Sequence, residues 1–257
     1  MEAEISSSTS RGVNTKYQQL NLSLLFSKTD IAPNAEEITT VVRQNNRRDN
    51  EVTIKRPSFV KASDFIYSDN PELTFEGGNE YQKIDFSHRV NYSGMIDEIR
   101  FVRPYYHVTT HPSELPESRI YNHSFDENGK YKIWEQGKNS MLDIDYSIVH
   151  FTFKAEDPWL DGNLYVQGDF NYGRLDEKNR MTYNFEAKEY RADILLKNGG
   201  YNYQYVFKRA GETAGETDRV SYSHWQTENE YTIYVYYRKF GSKHDRLLSV
   251  ITFNSAK

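Results

Sequence analysis

"EYRADILLKNGGYNYQYVFK", residues Glu189–Lys208, contains two runs with the spacing of a β-strand. Before the glycines, every second residue is apolar: Tyr190, Ala192, Ile194 and Leu196. After them the same holds for Tyr201, Tyr203, Tyr205 and Phe207. A period of two is typical of a strand with one buried face. The Asn198-Gly199-Gly200 stretch between them is typical of a hairpin turn, because primed turns need positive φ. We therefore predict two antiparallel strands joined by a tight turn.

The same pattern recurs along the chain. Even-numbered residues from Leu20 to Phe26 are apolar, and residues 146–153 place Val149, Phe151 and Phe153 on one face. Residues 37–44 and 96–109 predict further hairpins, and residues 227–253 predict a closing one. No segment shows an apolar period of 3.6 over three turns. The chain is therefore predicted to be all-β, with two tandem immunoglobulin-like β-sandwich domains.

The polar stretch Glu135–Asn139, with Gly137 at its centre, predicts the boundary between them. The first domain would span residues 1–137 and the second residues 138–257. Gly77-Gly78 predicts a sharp turn at positive φ. Residues Arg209–Val220 repeat Ala-Gly-Glu-Thr without periodic apolar residues, which indicates a mobile loop.

The composition limits the partners. With 32 Lys+Arg against 37 Asp+Glu, the net charge is -5, so the basic stripe of a nucleic-acid-binding protein is absent. No stretch reaches the ~20 apolar residues that cross a bilayer, so direct membrane insertion is not expected. There is no cysteine, which excludes disulfides and thiol chemistry. The 38 aromatic residues (Tyr 21, Phe 14, Trp 3) indicate a core built from ring-bearing strands.

Two pairs of titratable residues are candidates for a catalytic or metal site. His107 and His111 would share a metal on a helix, but on a strand they lie about 13 Å apart. Asp143 and Asp145 would point to one side of a strand, about 7 Å apart, which suits a carboxylate pair or a solvated edge. No nucleophile elbow or phosphate-binding loop is present. We expect no enzymatic activity, no cofactor and no metal.

Aromatic residues near loops are the better candidates for binding. Trp159, Tyr172 and Trp225 each lie in or beside a predicted loop. An exposed ring can stack on a sugar or anchor a protein interface. Alternatively, these rings fold back and cap the ends of the sandwiches. If the ligand is a sugar, Tyr203 is a further candidate for stacking.

Several segments together resemble the type IX secretion system plug protein family of Gram-negative bacteria: "SRGVNTKYQQLNLSL" (Ser10–Leu24), "VVRQNNRRDN" (Val41–Asn50), "TFEGGNEYQKIDFSHR" (Thr74–Arg89), "YNHSFDENGKYKI" (Tyr121–Ile133), "LYVQGDFNYGR" (Leu164–Arg174), "LLKNGGYNYQYVF" (Leu195–Phe207) and "TENEYTIYVYYR" (Thr227–Arg238). The resemblance implies a non-enzymatic component that binds and plugs the outer-membrane translocon barrel from its periplasmic side. It also implies a periplasmic, outer-membrane-associated protein, with a signal peptide and a further β-domain upstream of this sequence. One departure is Arg47-Arg48-Asp49-Asn50, where the family pattern is Arg-Trp-Asp-Asn.

The second half also resembles glycogen-binding-type β-modules. The family pattern Gly-Asp-Phe-Asn-x-Trp corresponds to Gly168–Gly173, where the tryptophan is missing and Tyr172 precedes a glycine. Two alternative functions follow. One is a carbohydrate-binding module that binds a glycan through Tyr172, Tyr203 and Trp225. The other is a cytoplasmic regulatory β-module, suggested by an acidic, serine-rich start without the features of a secretory signal.

Overall fold

The computed structural model describes residues 2–7, 15–29 and 31–255. Residues 10–14 of the segment Ser10–Leu24, and most of the serine-rich start, lie outside the described residues. The strands within the described part are β1 (Glu2–Ser7), β2 (Tyr17–Leu25), β3 (Ile38–Gln44), β4 (Val52–Ile54), β5 (Phe59–Lys61), β6 (Asp64–Tyr67), β7 (Thr74–Glu76), β8 (Gln82–Asp85), β9 (Ser93–Gly94), β10 (Ile96–Val102), β11 (Tyr105–Thr110), β12 (Tyr131–Ile133), β13 (Tyr146–Lys154), β14 (Gly162–Gln167), β15 (Thr182–Asn184), β16 (Glu189–Lys197), β17 (Gly199–Arg209), β18 (Glu230–Tyr237) and β19 (Arg246–Asn254).

Helical structure in the described residues is confined to single turns. They are the 3-10 turns Phe26–Lys28, Ala35–Glu37, Pro71–Leu73 and Asp169–Asn171, and the α-helical turn α1 (Asp218–Ser221). The all-β prediction is therefore confirmed. The immunoglobulin-like topology stays a prediction.

The chain forms two compact units. The terminal unit comprises Met1–Gly78 and Ser223–Lys257, and the central unit comprises Asn79–Tyr222. Each is described below by itself.

The terminal unit contains two sheets around one apolar core. The first has the strand order β1-β2-β6-β5, with β7 also paired to β2, and the second has the order β19-β18-β3-β4. Alternating side chains of β2, β3 and β18 supply most of the core, as their sequence period predicts. At its centre Tyr231 is fully buried, and its hydroxyl contacts Gln18 and Gln44 at 2.7 and 3.1 Å.

The central unit also contains two sheets, with the orders β10-β11-β13-β16-β15 and β12-β17-β8-β9, and β14 pairs with β17. Within the first sheet β11 and β13 are parallel, and the other pairs are antiparallel. The predicted inward faces of β13, β16 and β17 meet in an aromatic core. In it, Phe151, Tyr203 and Tyr205 make edge-on ring contacts.

The two units correct the predicted domain boundary at residues 137 and 138. Val108 of β11 pairs with Val149 of β13, and Tyr131 of β12 pairs with Tyr201 of β17, so both partnerships span that boundary. The closing hairpin of β18 and β19 belongs to the terminal unit, because β18 pairs with β3 along its length. Strand pairing across long sequence separations therefore makes the terminal unit discontinuous in sequence.

The Asn198-Gly199-Gly200 stretch does not form the predicted hairpin turn. β16 pairs with β13 and β15, whereas β17 pairs with β12, β14 and β8, so the chain passes from one sheet to the other here. None of the three residues has positive φ. Gly199 instead allows a close approach, since a Cβ at this position would lie 2.2 Å from the carbonyl oxygen of Lys132.

Two loop predictions are confirmed only in part. Gly78 has positive φ, but Gly77 does not, and a Cβ on Gly77 would lie 1.9 Å from the carbonyl oxygen of His224. The end of the loop predicted to be mobile, residues 209–220, is packed. Glu216 exchanges backbone hydrogen bonds of 3.0 and 2.8 Å with Phe207, and Val220 is buried in the core.

Candidate functional site

Two of the four predicted binding residues pack in or against the core of the central unit. Tyr203 is fully buried in the core of the central unit, so its assignment as a sugar-stacking residue is wrong. Trp159 packs against Phe153 and Phe207 with centroid distances of 5.8 and 5.3 Å. The guanidinium of Arg219 lies 4.7 Å from the centroid of the Trp159 ring. Trp159 therefore caps the core, which is the alternative that the sequence left open.

The other two residues are exposed, but they belong to different units. Tyr172, in the central unit, is 68% exposed and has φ 58° at the end of a 3-10 turn. Trp225, in the terminal unit, is 38% exposed, and its backbone N–H donates to the carbonyl of Thr15 at 3.0 Å. Neither the terminal nor the central unit therefore brings the four predicted residues together.

The histidine pair of the sequence does not form a shared site. β11 ends at Thr110, and His111 lies 3.6 Å from a carboxylate oxygen of Asp97. The Nδ1 of His107 lies 2.8 Å from Nε2 of His150, whose Nδ1 is 2.7 Å from Asp193. Within the described part of the chain, no group of three or more His, Asp or Glu side chains has an arrangement that could hold a metal ion.

Asp143 and Asp145 do not lie on a strand as predicted, because β13 begins at Tyr146. Asp145 accepts a hydrogen bond of 2.7 Å from Arg89, which also pairs with Glu135 at 2.6 Å. Asp145 therefore belongs to an ion-pair cluster.

A titratable cluster that the sequence analysis missed surrounds Glu80 in the central unit. The Glu80 carboxylate accepts a hydrogen bond from the hydroxyl of Tyr121 and lies 3.4 Å from Nδ1 of His123. The backbone N–H groups of Tyr81 and Asn128 donate to Asp126 at 2.5 and 2.6 Å. These residues come from segments about 40 residues apart, and no local motif connects them.

The environment of Asp126 changes its acidity. Burial raises the pKa of its carboxyl, the N–H donors of Asn128 and Tyr81 lower it, and the neighbouring Glu80 carboxyl raises it. Together these effects raise the pKa from 3.8 to about 6. Glu80 lines a cavity of about 470 Å³, but Tyr121, His123 and Asp126 do not. The cluster therefore does not converge on that cavity.

This acidity leads to a prediction about stability. Since the folded-state pKa of Asp126 exceeds its unfolded value, the folded state binds more protons, and this group's contribution to the free energy of unfolding falls as pH rises from about 4 to 6. Glu80→Gln removes the neighbouring carboxyl and should lower the pKa of Asp126, which makes that fall smaller. Urea unfolding of the unmodified protein and of Glu80→Gln, at several pH values between about 4 and 6, measures this difference. If the free energy of unfolding changes equally with pH in both proteins, Glu80 does not raise the pKa of Asp126.

The nine-residue strand β19 forms one edge of the β19-β18-β3-β4 sheet in the terminal unit. It pairs with β18, and no described strand pairs with its other side. Its sequence RLLSVITFN contains one charged residue, Arg246, and no proline. Sheet edges in natural proteins are usually shielded by charges, proline or shortness. β19 is nine residues long and lacks most of this protection.

Both faces of β19 are partly uncovered. Val250, on the outer face opposite Tyr234, is 47% exposed, and Leu247 is similarly exposed. Ile251 and Phe253, on the inner face, are only partly buried against the core. A register shift opposite Val235 and Tyr236 bends the start of the strand, whereas residues 249–254 pair regularly.

An apolar cavity lies beside the start of this edge. It measures about 310 Å³, and Leu25, Phe26, Ile31, Val235 and Leu248 contribute to its wall. The unpaired backbone of β19 and this cavity offer two complementary elements for an extended peptide, because strand addition combines main-chain hydrogen bonds with pockets for side chains. The sequence predicted the strand correctly, but its edge position depends on sheet order.

These features define an all-β protein with an open apolar strand edge. Among the described residues, no helix has the length and apolar character needed to cross a bilayer.

The chain matches no family model and no curated protein. A crystal structure of a hypothetical protein from Parabacteroides merdae is similar to it, with a TM-score of 0.87 and 35% identity over 98% of this chain. The chain spans 64% of the length of that protein.

Proposed function

We propose that this protein is a non-enzymatic docking module that binds a macromolecular partner by accepting a partner strand on β19. The observation that carries the proposal is the open edge of this strand, which is nine residues long and has apolar residues on both faces, such as Val250 and Ile251. A free edge of this kind is a template for pairing with another chain.

The energetics favour addition of a strand over residues 249–254. A partner strand satisfies the outward backbone N–H and C=O groups of β19 and covers Val250 and Ile251. The β19 backbone is already ordered by pairing with β18 from Glu230 to Tyr237, so less conformational entropy is lost on binding. The cavity beside Leu248 accepts one apolar side chain of the partner.

The resemblance to type IX secretion plug proteins suggests the partner. On this proposal the module docks onto the large outer-membrane translocon barrel from the periplasm and closes it. The barrel supplies the strand or loop that pairs with β19, and exposed aromatic residues such as Tyr172 and Trp225 add contact area. The seven segments of resemblance, which are spread over most of the chain, support this assignment.

Val250→Lys tests the proposal. A lysine here places a charge in the middle of the edge, as natural edge strands do to prevent pairing. We expect capture of the barrel protein from outer-membrane extract of a bacterium with type IX secretion to fall at least tenfold, about 1.4 kcal/mol. The readout is a pull-down with the purified chain as bait, followed by identification of the captured protein.

Val60→Lys is the matched control. Val60 is 57% exposed on β5, a three-residue edge strand of the other sheet in the terminal unit. It should bind like the unmodified protein, and circular dichroism should show that both variants fold. If no barrel protein is captured, or if Val250→Lys captures it equally well, the proposal fails.

A further inference from the structure

A groove crosses the outer face of the β12-β17-β8-β9 sheet in the central unit. Gly200 of β17 lies between Lys132 of β12 and Asp85 of β8. The neighbouring Tyr201 and Ile84 point into the core, so Gly200 and its partners face outward. Because Gly200 has no side chain, a cavity of about 560 Å³ opens above it. This volume is in the range of small-molecule sites.

The groove presents a fixed hydrogen-bond donor. Asn202 is only 7% exposed, and it lines the cavity. Its Oδ1 accepts the backbone N–H of Glu127 at 2.7 Å, which fixes the orientation of the amide. Its Nδ2 makes no hydrogen bond with any described residue. Nearly all of Asn202 is thus out of solvent, while its Nδ2 donor is left for a ligand.

An acceptor lies on the other side of the same floor. Asp85 Oδ1 accepts from the backbone N–H and the hydroxyl of Ser87, at 2.9 and 2.5 Å. Asp85 Oδ2 lies 3.4 Å from the position that a Cβ on Gly200 would occupy. The second carboxylate oxygen therefore points over the glycine, where it can accept a hydrogen bond from a ligand hydroxyl.

An aromatic ring forms one side of the groove. Trp134 is 40% exposed, and its backbone N–H donates to the carbonyl of Asn198 at 3.2 Å. The ammonium of Lys132 lies 5.9 Å from the centroid of the Trp134 ring. Lys83 and Lys130 also line the cavity, with Asp85 and Glu127 as the carboxylates.

We propose that this groove binds a pyranose unit of an oligosaccharide. A pyranose has an apolar C–H face, which packs on an aromatic ring, and hydroxyl groups that both donate and accept hydrogen bonds. Trp134 provides the ring, Asn202 Nδ2 the donor and Asp85 Oδ2 the acceptor. The inference is independent of docking through β19. It assigns the sugar to residues other than Tyr172, Tyr203 and Trp225.

The lysines suggest which saccharides bind more tightly. The residues that line the groove include three lysines and two acidic residues, so a saccharide that carries carboxylates should bind more tightly than a neutral one at low salt. Suitable probes are tetragalacturonate, which is anionic, and maltoheptaose, which is neutral. Binding of either through Trp134 supports the proposal, and the comparison identifies the favoured class.

The test follows the indole N–H signal of Trp134 in NMR titrations with each saccharide, up to about 10 mM. We expect at least one saccharide to shift this signal. Trp134→Ala should weaken its binding at least tenfold, as measured by calorimetry. Gly200→Val, which fills the floor of the groove, should also weaken saccharide binding at least tenfold. This variant provides the test if Trp134→Ala does not fold.

Trp225→Ala is the matched control, since Trp225 is exposed to a similar extent in the terminal unit. It should leave saccharide binding unchanged, and so should Val250→Lys. The proposal is overturned if neither saccharide shifts the Trp134 signal, or if binding persists in both Trp134→Ala and Gly200→Val. The pull-down of the barrel protein, repeated with Trp134→Ala, tests the proposed docking function separately from saccharide binding.

Discussion

Tyr203→Ala is expected to lower the free energy of unfolding by about 3–5 kcal/mol, the range measured for removing a large buried ring. Tyr203 is fully buried, and its ring contacts Phe151 and Tyr205 at centroid distances of 4.9 and 5.8 Å. Its removal leaves a cavity that strands on both sheets of the central unit cannot close without moving. Urea unfolding monitored by intrinsic fluorescence measures the loss.

Tyr172→Ala is the control for this experiment. Tyr172 is mostly exposed, so its truncation should change the free energy of unfolding by less than about 0.5 kcal/mol. Its positive φ does not confuse the comparison, because alanine and tyrosine are both disfavoured there. Equal losses for the two variants would show that Tyr203 is not a core residue.

Gly199→Ala is expected to lower the free energy of unfolding by about 1–3 kcal/mol, as overpacking does in well-packed sites. The added methyl would lie 2.2 Å from the carbonyl oxygen of Lys132, and a backbone atom cannot rotate away. The β12 strand must therefore separate from β17. Because Trp134 follows β12 directly, this variant should also disturb the groove.

Gly200→Ala tests the same stretch one residue later. There the methyl would meet its nearest neighbour, a carboxylate oxygen of Asp85, at 3.4 Å, an ordinary contact. The stability should change by less than about 0.5 kcal/mol. A hairpin turn with positive φ at both glycines would instead make both variants costly. Thermal unfolding of the two variants side by side distinguishes these cases.

Local pattern predicted the strands well. The alternation in β2, β13, β16 and β17 identified the buried faces correctly, because a residue that is two positions away points to the same side of a strand. Some residues on a predicted inward face do face inward but are not fully buried. Ile194, for example, lies on the inward face of β16 but is only partly buried.

Local pattern could not predict which strands pair. Asn198-Gly199-Gly200 is compatible with a tight turn and also with an extended crossing, and the difference lies in β12, more than 60 residues earlier. The same holds for the domain boundary. Residues 135–139 have the composition of a linker, but β12 and β13, on either side of them, both belong to the central unit.

The exposure of aromatic residues was equally difficult to predict. Trp159 and Trp225 both lie outside strands, yet Trp159 caps the core and Trp225 is partly exposed. Trp134 directly follows β12, and the groove beside it exists because β17 places a glycine between β12 and β8.

The order of amino acids along this chain was sufficient to establish an all-β protein, the positions of the longest strands and the buried side of β2, β13, β16 and β17. These properties depend on neighbours within a few residues, where the period of two is set by backbone geometry. Sheet order, the discontinuous terminal unit, the open edge of β19 and the groove over Gly200 required the folded structure. They depend on contacts between distant segments, whose free energy arises only when the strands are packed together.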